Sequence, residues 1–302
     1  MQQRRLQQLW PARQVSDGAG VKIQRSLGLT PQMRLDPFLM LDCFGSDQPD
    51  EYLAGFPAHP HRGFETVTYM LDGHMLHEDH LGNRGHLVSG GVQWMTAGSG
   101  IIHSEMPQQE QGLMRGFQLW LNLPASEKMQ APAYVDLTPA QIPTVTLTDT
   151  TGERIGLVKV IAGTFWAQGY PAVSGPVHSG YTAPLYLDLQ FDAPTEQTIE
   201  LPVGHHALLY PYEGQLNLHS NGESTVLQPH QAAILTAGDC VTVSSKAPAR
   251  TLLLAARPIG EPVVQYGPFV MNTVAEIEQA VRDYQQGRLT ASAAQQRPLA
   301  KG

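Results

Sequence analysis

The sequence predicts an all-β protein made of two tandem β domains, a barrel or sandwich each, closed by one short C-terminal helix. Three observations carry this. The chain of 302 residues is rich in turn formers, with 29 glycines and 23 prolines, a composition that suits many short strands. Runs of alternating apolar and polar residues recur along most of its length, with Gly, Asp or Asn between them. Its two halves resemble each other weakly, as a duplicated unit would. Apolar residues make up 42% and charged ones 15%, which places the chain among globular proteins rather than disordered ones.

Taken in order, residues 1–57 read as short strands and loops, with "GVKIQRSLG" and "LDPFLMLDCFG" as the clearest strands. The stretch "AHPHRGFETVTYMLDG" follows. Side chains alternate along a strand, so His59 and His61 share one face and Pro60 takes the other. Proline cannot donate to a ladder, which puts this segment at a strand start or a sheet edge. It also keeps His59 extended. Two such histidines converge on one spot and half build a metal site, but two exposed histidines in a loop have the same spacing.

Further short strands are expected in "HMLHEDHLG", "GHLVSGGVQWMTAG", "IIHSEMPQ" and "LMRGFQLWLNLP". His103 and Glu105 again sit two apart, after the turn "AGSG". Two pairs at strand spacing are far more specific than one. Three imidazoles and a carboxylate suit a divalent first-row metal such as iron, manganese, nickel or copper.

Residues 124–145 are rich in Pro, Ala and polar side chains and read as a linker. The domains expected from this are 1–135, which carries the metal ligands, and 136–290, which does not. In the second region "HALLYPYEGQL" answers "TVTYMLDGHM", and "HQAAILTAGDCVTVSS" answers "GGVQWMTAGSGIIHSE". The comparison sets Thr242, Val243, Ser244 and Ser245 against Ile102, His103, Ser104 and Glu105. The helix is expected at 273–287, with Thr273 and Glu276 as a capping box and Gly287 as its stop. Ile277, Val281 and Tyr284 form its apolar stripe, expected to be buried against a barrel. Residues 291–302 read as a tail.

Several classes are disfavoured. The net charge is −8 and the one basic block is "QQRRLQQ", so direct nucleic-acid binding is not expected. Two distant cysteines make no disulfide framework. The first residues lack the apolar core of a signal peptide, and no apolar run approaches the ~18 residues of a membrane span. A cytoplasmic protein, a monomer, is the expectation.

The histidine and glycine pattern resembles the cupins, which are double-sheet jelly rolls. More narrowly, "LDPFLMLDCFG", "HPHRGFETVTYMLDG", "HEDHLG", "QWMTAGSGIIHSEMP", "GFQLWLNLP", "SEKM" and "EPVVQYGPFVMNT" resemble the pirins, from about residue 20 to residue 287. The resemblance implies a bicupin with one metal per chain in its N-terminal barrel, iron first, with manganese, nickel, copper or zinc as alternatives. It assigns His59, His61, His103 and Glu105 as ligands. It implies an oxidoreductase of the quercetin 2,3-dioxygenase type, which opens a flavonol with O2 and releases carbon monoxide; Glu105 either leaves the metal to act as the base or stays ligated while a neighbour takes the proton. Two alternatives stand beside it. One is an iron-containing, redox-responsive transcriptional co-regulator that binds a protein partner. The other is a metal cupin with a different substrate.

Glu65 sits where many cupins carry a glutamate ligand. Here it is expected behind the ligands, bonding an imidazole N–H. Seven of the twelve histidines fall between 59 and 103, and among the others His77 is expected nearest the site. Phe38 and Met106 are expected as core or pocket wall. His205 and His206 lack a partner pair and are expected to be structural.

Overall fold

A computed structural model describes residues 1–178 and 180–290. The expected tail at 291–302 lies outside the described residues. The chain divides into two compact units, and each interleaves separate stretches of sequence. One holds residues 13–28, 37–139 and the segment from 259 onward. The other holds 1–12, 29–36 and 140–258. Contiguous domains at 1–135 and 136–290 are therefore not what the structure shows. The reason is strand pairing. Leu6–Pro11 joins Gln231–Leu235 in antiparallel register. Arg4 just before it is buried, and its guanidinium donates to the carbonyls of His205 at 2.8 Å and Pro202 at 3.2 Å. At the other end, the C-terminal helix belongs to the histidine-bearing unit.

Both units repeat one plan, a seven-stranded and a four-stranded antiparallel sheet. In the histidine-bearing unit the large sheet runs Ala133–Leu137, Val92–Thr96, Phe64–Asp72, Met114–Asn122, Phe38–Ser46, Val21–Leu27 and Arg13–Asp17. The small sheet runs Phe56–His61, Ile101–Pro107, His74–Asp79 and Arg84–Val88. Phe56–His61 is an edge strand, as Pro60 requires. Ala133–Leu137 lies within the stretch expected to be a linker. It pairs with Val92–Thr96, and Gln93 Nε2 donates to Asp136 Oδ1 at 2.8 Å. Pro and Ala content concealed an edge strand whose stability comes from its neighbour rather than its own propensity.

In the other unit the large sheet runs Leu6–Pro11, Gln231–Leu235, His206–Glu213, Ala249–Ala256, Leu185–Phe191, Arg154–Ala162 and Thr144–Thr148. The small one runs Thr195–Glu200, Cys240–Ser245, Leu216–Ser220 and Glu223–Leu227. Between them the space is filled by apolar side chains, among them Leu187, Leu189, Leu209, Leu218, Val241, Val243 and Leu253. The shared plan bears out the duplication read from the two halves.

The helix runs Val274–Gln285 and begins with the expected capping box between Thr273 and Glu276. Ile277 and Ala280 are buried with Phe269, Met271 and Leu289. Val281 packs at the margin of that cluster. Tyr284 is 42% exposed, against the expectation of a fully buried stripe. The small Ala280 lets the helix approach closely on the side of residues 277 and 280. Tyr284 is left at the rim, meeting Phe269 edge-on at 6.2 Å. Thr273→Ala is expected to lower stability by about 1 kcal/mol, read as a shift in the urea midpoint at constant slope.

Candidate metal centre

Alternation and register build the site. His59 stands opposite His103 across the ladder, and His61 opposite Ile101. His59 and His61 therefore point to the same side as His103 and meet it there. Among the described residues, His59, His61 and His103 offer ligand atoms all within 4.8 Å of one another. The ring centroids of His59 and His103 are 4.4 Å apart, and those of His61 and His103 are 5.0 Å apart.

These rings suit a metal. His59 Nδ1 lies 2.8 Å from the Pro57 carbonyl, which can only accept, so Nδ1 carries the proton and Nε2 keeps its lone pair. His59 Nε2 faces His61 Nε2 at 3.0 Å. His103 Nε2 is buried with no hydrogen-bond partner among the described residues, which is costly unless something else binds it. Burial, then the neighbouring rings, holds the pKa of His61 and of His103 well below the usual histidine range. Neutral imidazole is the ligand form.

Glu105 shares the inner face with His103 and is buried. Its Oε1 accepts from Thr68 Oγ1 at 3.1 Å and its Oε2 from Gln118 Nε2 at 3.0 Å. Both donors lie on the large sheet, so the carboxylate bridges the two sheets. It lies outside the three-histidine group. His77 comes close, as expected: it is buried opposite Glu105 in the ladder, and its Nδ1 lies 3.2 Å from His103 Nδ1. That contact fixes the ring of His103 and leaves its Nε2 to face the centre.

Two expectations are corrected. Glu65 does not meet an imidazole. It accepts from Thr96 Oγ1 at 2.9 Å, and its place in the strand puts it on the face opposite Phe64, Thr66 and Thr68. Burial raises its pKa to about 7. Met106 likewise falls on the face of its strand opposite His103 and Glu105, paired with Leu76. Phe38 is buried at the head of its strand, next to the cluster of Leu39, Met40, Phe64, Trp120 and Val270.

Sequence reasoning missed Thr68, Gln118, Phe64 and Trp120. The rings of Phe64 and Trp120 pack edge-on against His61, at 5.1 and 5.3 Å. Trp120 Nε1 is buried without a hydrogen-bond partner among the described residues. The signal for these four is their common inward parity on strands of the large sheet. That is usable only once the facing sheet is known.

In the other unit the same register positions are held by Gln197, Ile199, Val243 and Ser245. His205 and His206 make no equivalent pair. His206 Nδ1 meets the Asp36 carbonyl at 2.6 Å, and burial lowers the His205 pKa to about 4.

Fold and site together define a bicupin with a cluster of histidines and a carboxylate inside one barrel and an apolar filling in the other. The chain belongs to the pirin family. The pirin model matches residues 20–121, and the pirin C-terminal cupin domain matches residues 186–290. A Pseudomonas aeruginosa protein provisionally named as a quercetin 2,3-dioxygenase is 52% identical over 276 residues, covering 91% of this chain and 94% of that one. Human pirin is 39% identical over 285 residues, covering 92% and 91%. The crystal structure of a quercetin 2,3-dioxygenase from Acinetobacter baumannii superposes with a TM-score of 0.85 at 30% identity, covering 95% of this chain and 98% of that one. Among the described residues, no helix is long and apolar enough to cross a membrane.

Proposed function

We propose that the protein is a metal-dependent dioxygenase that cleaves quercetin or a related flavonol with O2, using one metal held by His59, His61 and His103 with Glu105 beside them. The observation that carries this reading is the contrast between the two barrels. One is filled with aliphatic side chains. The other keeps three imidazoles and a carboxylate together on the inner face of its small sheet, with the carboxylate bonded across to the large one. Such buried polar groups are expensive to maintain without a ligand. The relatives named as quercetin 2,3-dioxygenases support the substrate class.

A first-row ion, with iron the first choice, would supply the redox chemistry by which a flavonol and O2 react. The chain's own residues do the rest. Glu105 takes the proton of the flavonol 3-hydroxyl. Thr68 and Gln118 each occupy one lone pair of its carboxylate, which fixes its direction and leaves the remaining lone pairs to accept. Phe64 and Trp120 give the flat substrate an aromatic wall next to His61. The Trp120 Nε1–H, which has no partner among the described residues, is a donor for a substrate oxygen.

The test is an anaerobic mixture of metal-loaded protein and quercetin, followed by O2. One O2 consumed and one carbon monoxide released per quercetin is the expected result. No uptake with any of iron, manganese, nickel or copper overturns it.

A further inference from the structure

Resting on the metal reading above, we propose that Arg62, held by Asp283 of the C-terminal helix, is the positioning residue that sets the spacing of the two ligand-bearing strands. Arg62 follows His61 directly. Alternation turns its side chain away from the histidine centre, yet the residue is only 4% exposed. Its guanidinium joins three separate stretches of chain. Nε donates to the Ser99 carbonyl at 2.5 Å, Nη1 to Asp283 Oδ2 at 2.8 Å, and Nη2 to the Leu289 carbonyl at 3.3 Å.

Ser99 lies in the turn that leads into the strand of His103 and Glu105. One planar fork therefore ties the His59/His61 strand to the entry of the other ligand strand. Asp283 supplies the counter-charge, and Gln279 Nε2 steadies its other oxygen at 2.7 Å. A buried guanidinium without that carboxylate would be strongly disfavoured.

The main chain repeats the connection. The Val270 amide donates to the Arg62 carbonyl at 3.0 Å. Lys128 Nζ, buried, donates to the carbonyls of Gly63 at 2.7 Å and Val270 at 3.2 Å, and to Asn122 Oδ1 at 2.6 Å. Gly63 has φ +91°, and a Cβ there would lie 2.0 Å from the Val270 carbonyl. Gly100 similarly has φ +148°, with a Cβ 2.5 Å from the Leu289 carbonyl. Only glycine permits either approach. Both ligand strands are thus seated on the C-terminal segment at the residue beside their turn.

Cobalt(II) is the probe, because its visible bands report ligand geometry. Asp283→Asn removes the charge at a partly exposed site and keeps the shape. Arg62→Lys keeps the charge and loses the fork. Both are expected to bind cobalt roughly 10–100-fold more weakly and to shift its visible bands. Asp283→Glu is expected to restore much of the loss. Glu278→Gln, on the exposed side of the same helix, should match wild type. Wild-type affinity and bands in Asp283→Asn overturn the proposal, even if its melting temperature falls. His61→Ala is run in parallel: if it binds cobalt like wild type, the metal reading fails instead.

Discussion

His61→Ala is expected to strip the protein of its metal while leaving the β fold in place. The wild-type chain should hold one ion after loading and desalting, and the variant close to none. His61 is the most deeply packed of the three, with its ring against Phe64 and Trp120 as well as the other two imidazoles. It meets His59 through Nε2 at 3.0 Å and His103 ring to ring at 5.0 Å. Losing it leaves His59 and His103 without the third nitrogen that a first-row ion requires from this group. The fold should survive because the ring makes no hydrogen bond that joins the sheets. Its packing is against Phe64 and Trp120 at the end of a core that continues beyond them. Elemental analysis alongside far-UV circular dichroism checks both halves. Full occupancy with an intact spectrum would remove His61 from the site. His206→Ala in the other barrel should change neither measurement.

The second large effect is expected at Glu105. Glu105→Gln, saturated with metal, should still bind quercetin yet turn it over about 10²–10⁴-fold more slowly, the usual worth of a positioned general base. The substitution suits the site. The amide oxygen can accept from Gln118, and the amide nitrogen can donate to the Thr68 hydroxyl, which is free to reverse its role. The bridge between the sheets is preserved, and the loss falls on charge and basicity. If Glu105 serves only to hold the ion, the variant binds metal more weakly and excess metal restores turnover. Full recovery of that kind would take the proton-transfer role away from it. Should the wild-type protein also fail to consume O2 with quercetin under every metal, partner capture with oxidised against reduced iron becomes the next experiment.

Much of this arrangement was legible in the order of residues, and the reason is that strands have a period of two. His59 with His61, and His103 with Glu105, are each forced to one face by that period. Pro60 forces an edge. Thr273, Glu276 and Gly287 mark a helix through hydrogen bonds made within one turn. Each of these needs only near neighbours in the chain. The duplication was legible for the same reason, since corresponding strands keep their turns and their apolar alternation.

Other features depend on which strand lies next to which, and no local pattern carries that. Residues 6–11 look like any short strand, but their partner is 231–235, so the N-terminal segment and the rest of the first half fall into different units. Glu65 was expected behind the ligands from its place in the cupin pattern and Met106 as core or pocket wall, and parity turned both to the far face. Thr68 and Gln118 became the partners of Glu105 only because two sheets close on each other. The fold class, the helix and the three histidines were all readable from residue order, because alternation and capping are short-range rules. Tertiary structure alone decided what holds Glu105, what covers His61, and that Asp283 reaches Arg62 across 221 residues, because those contacts exist only between sheets and segments brought together by folding.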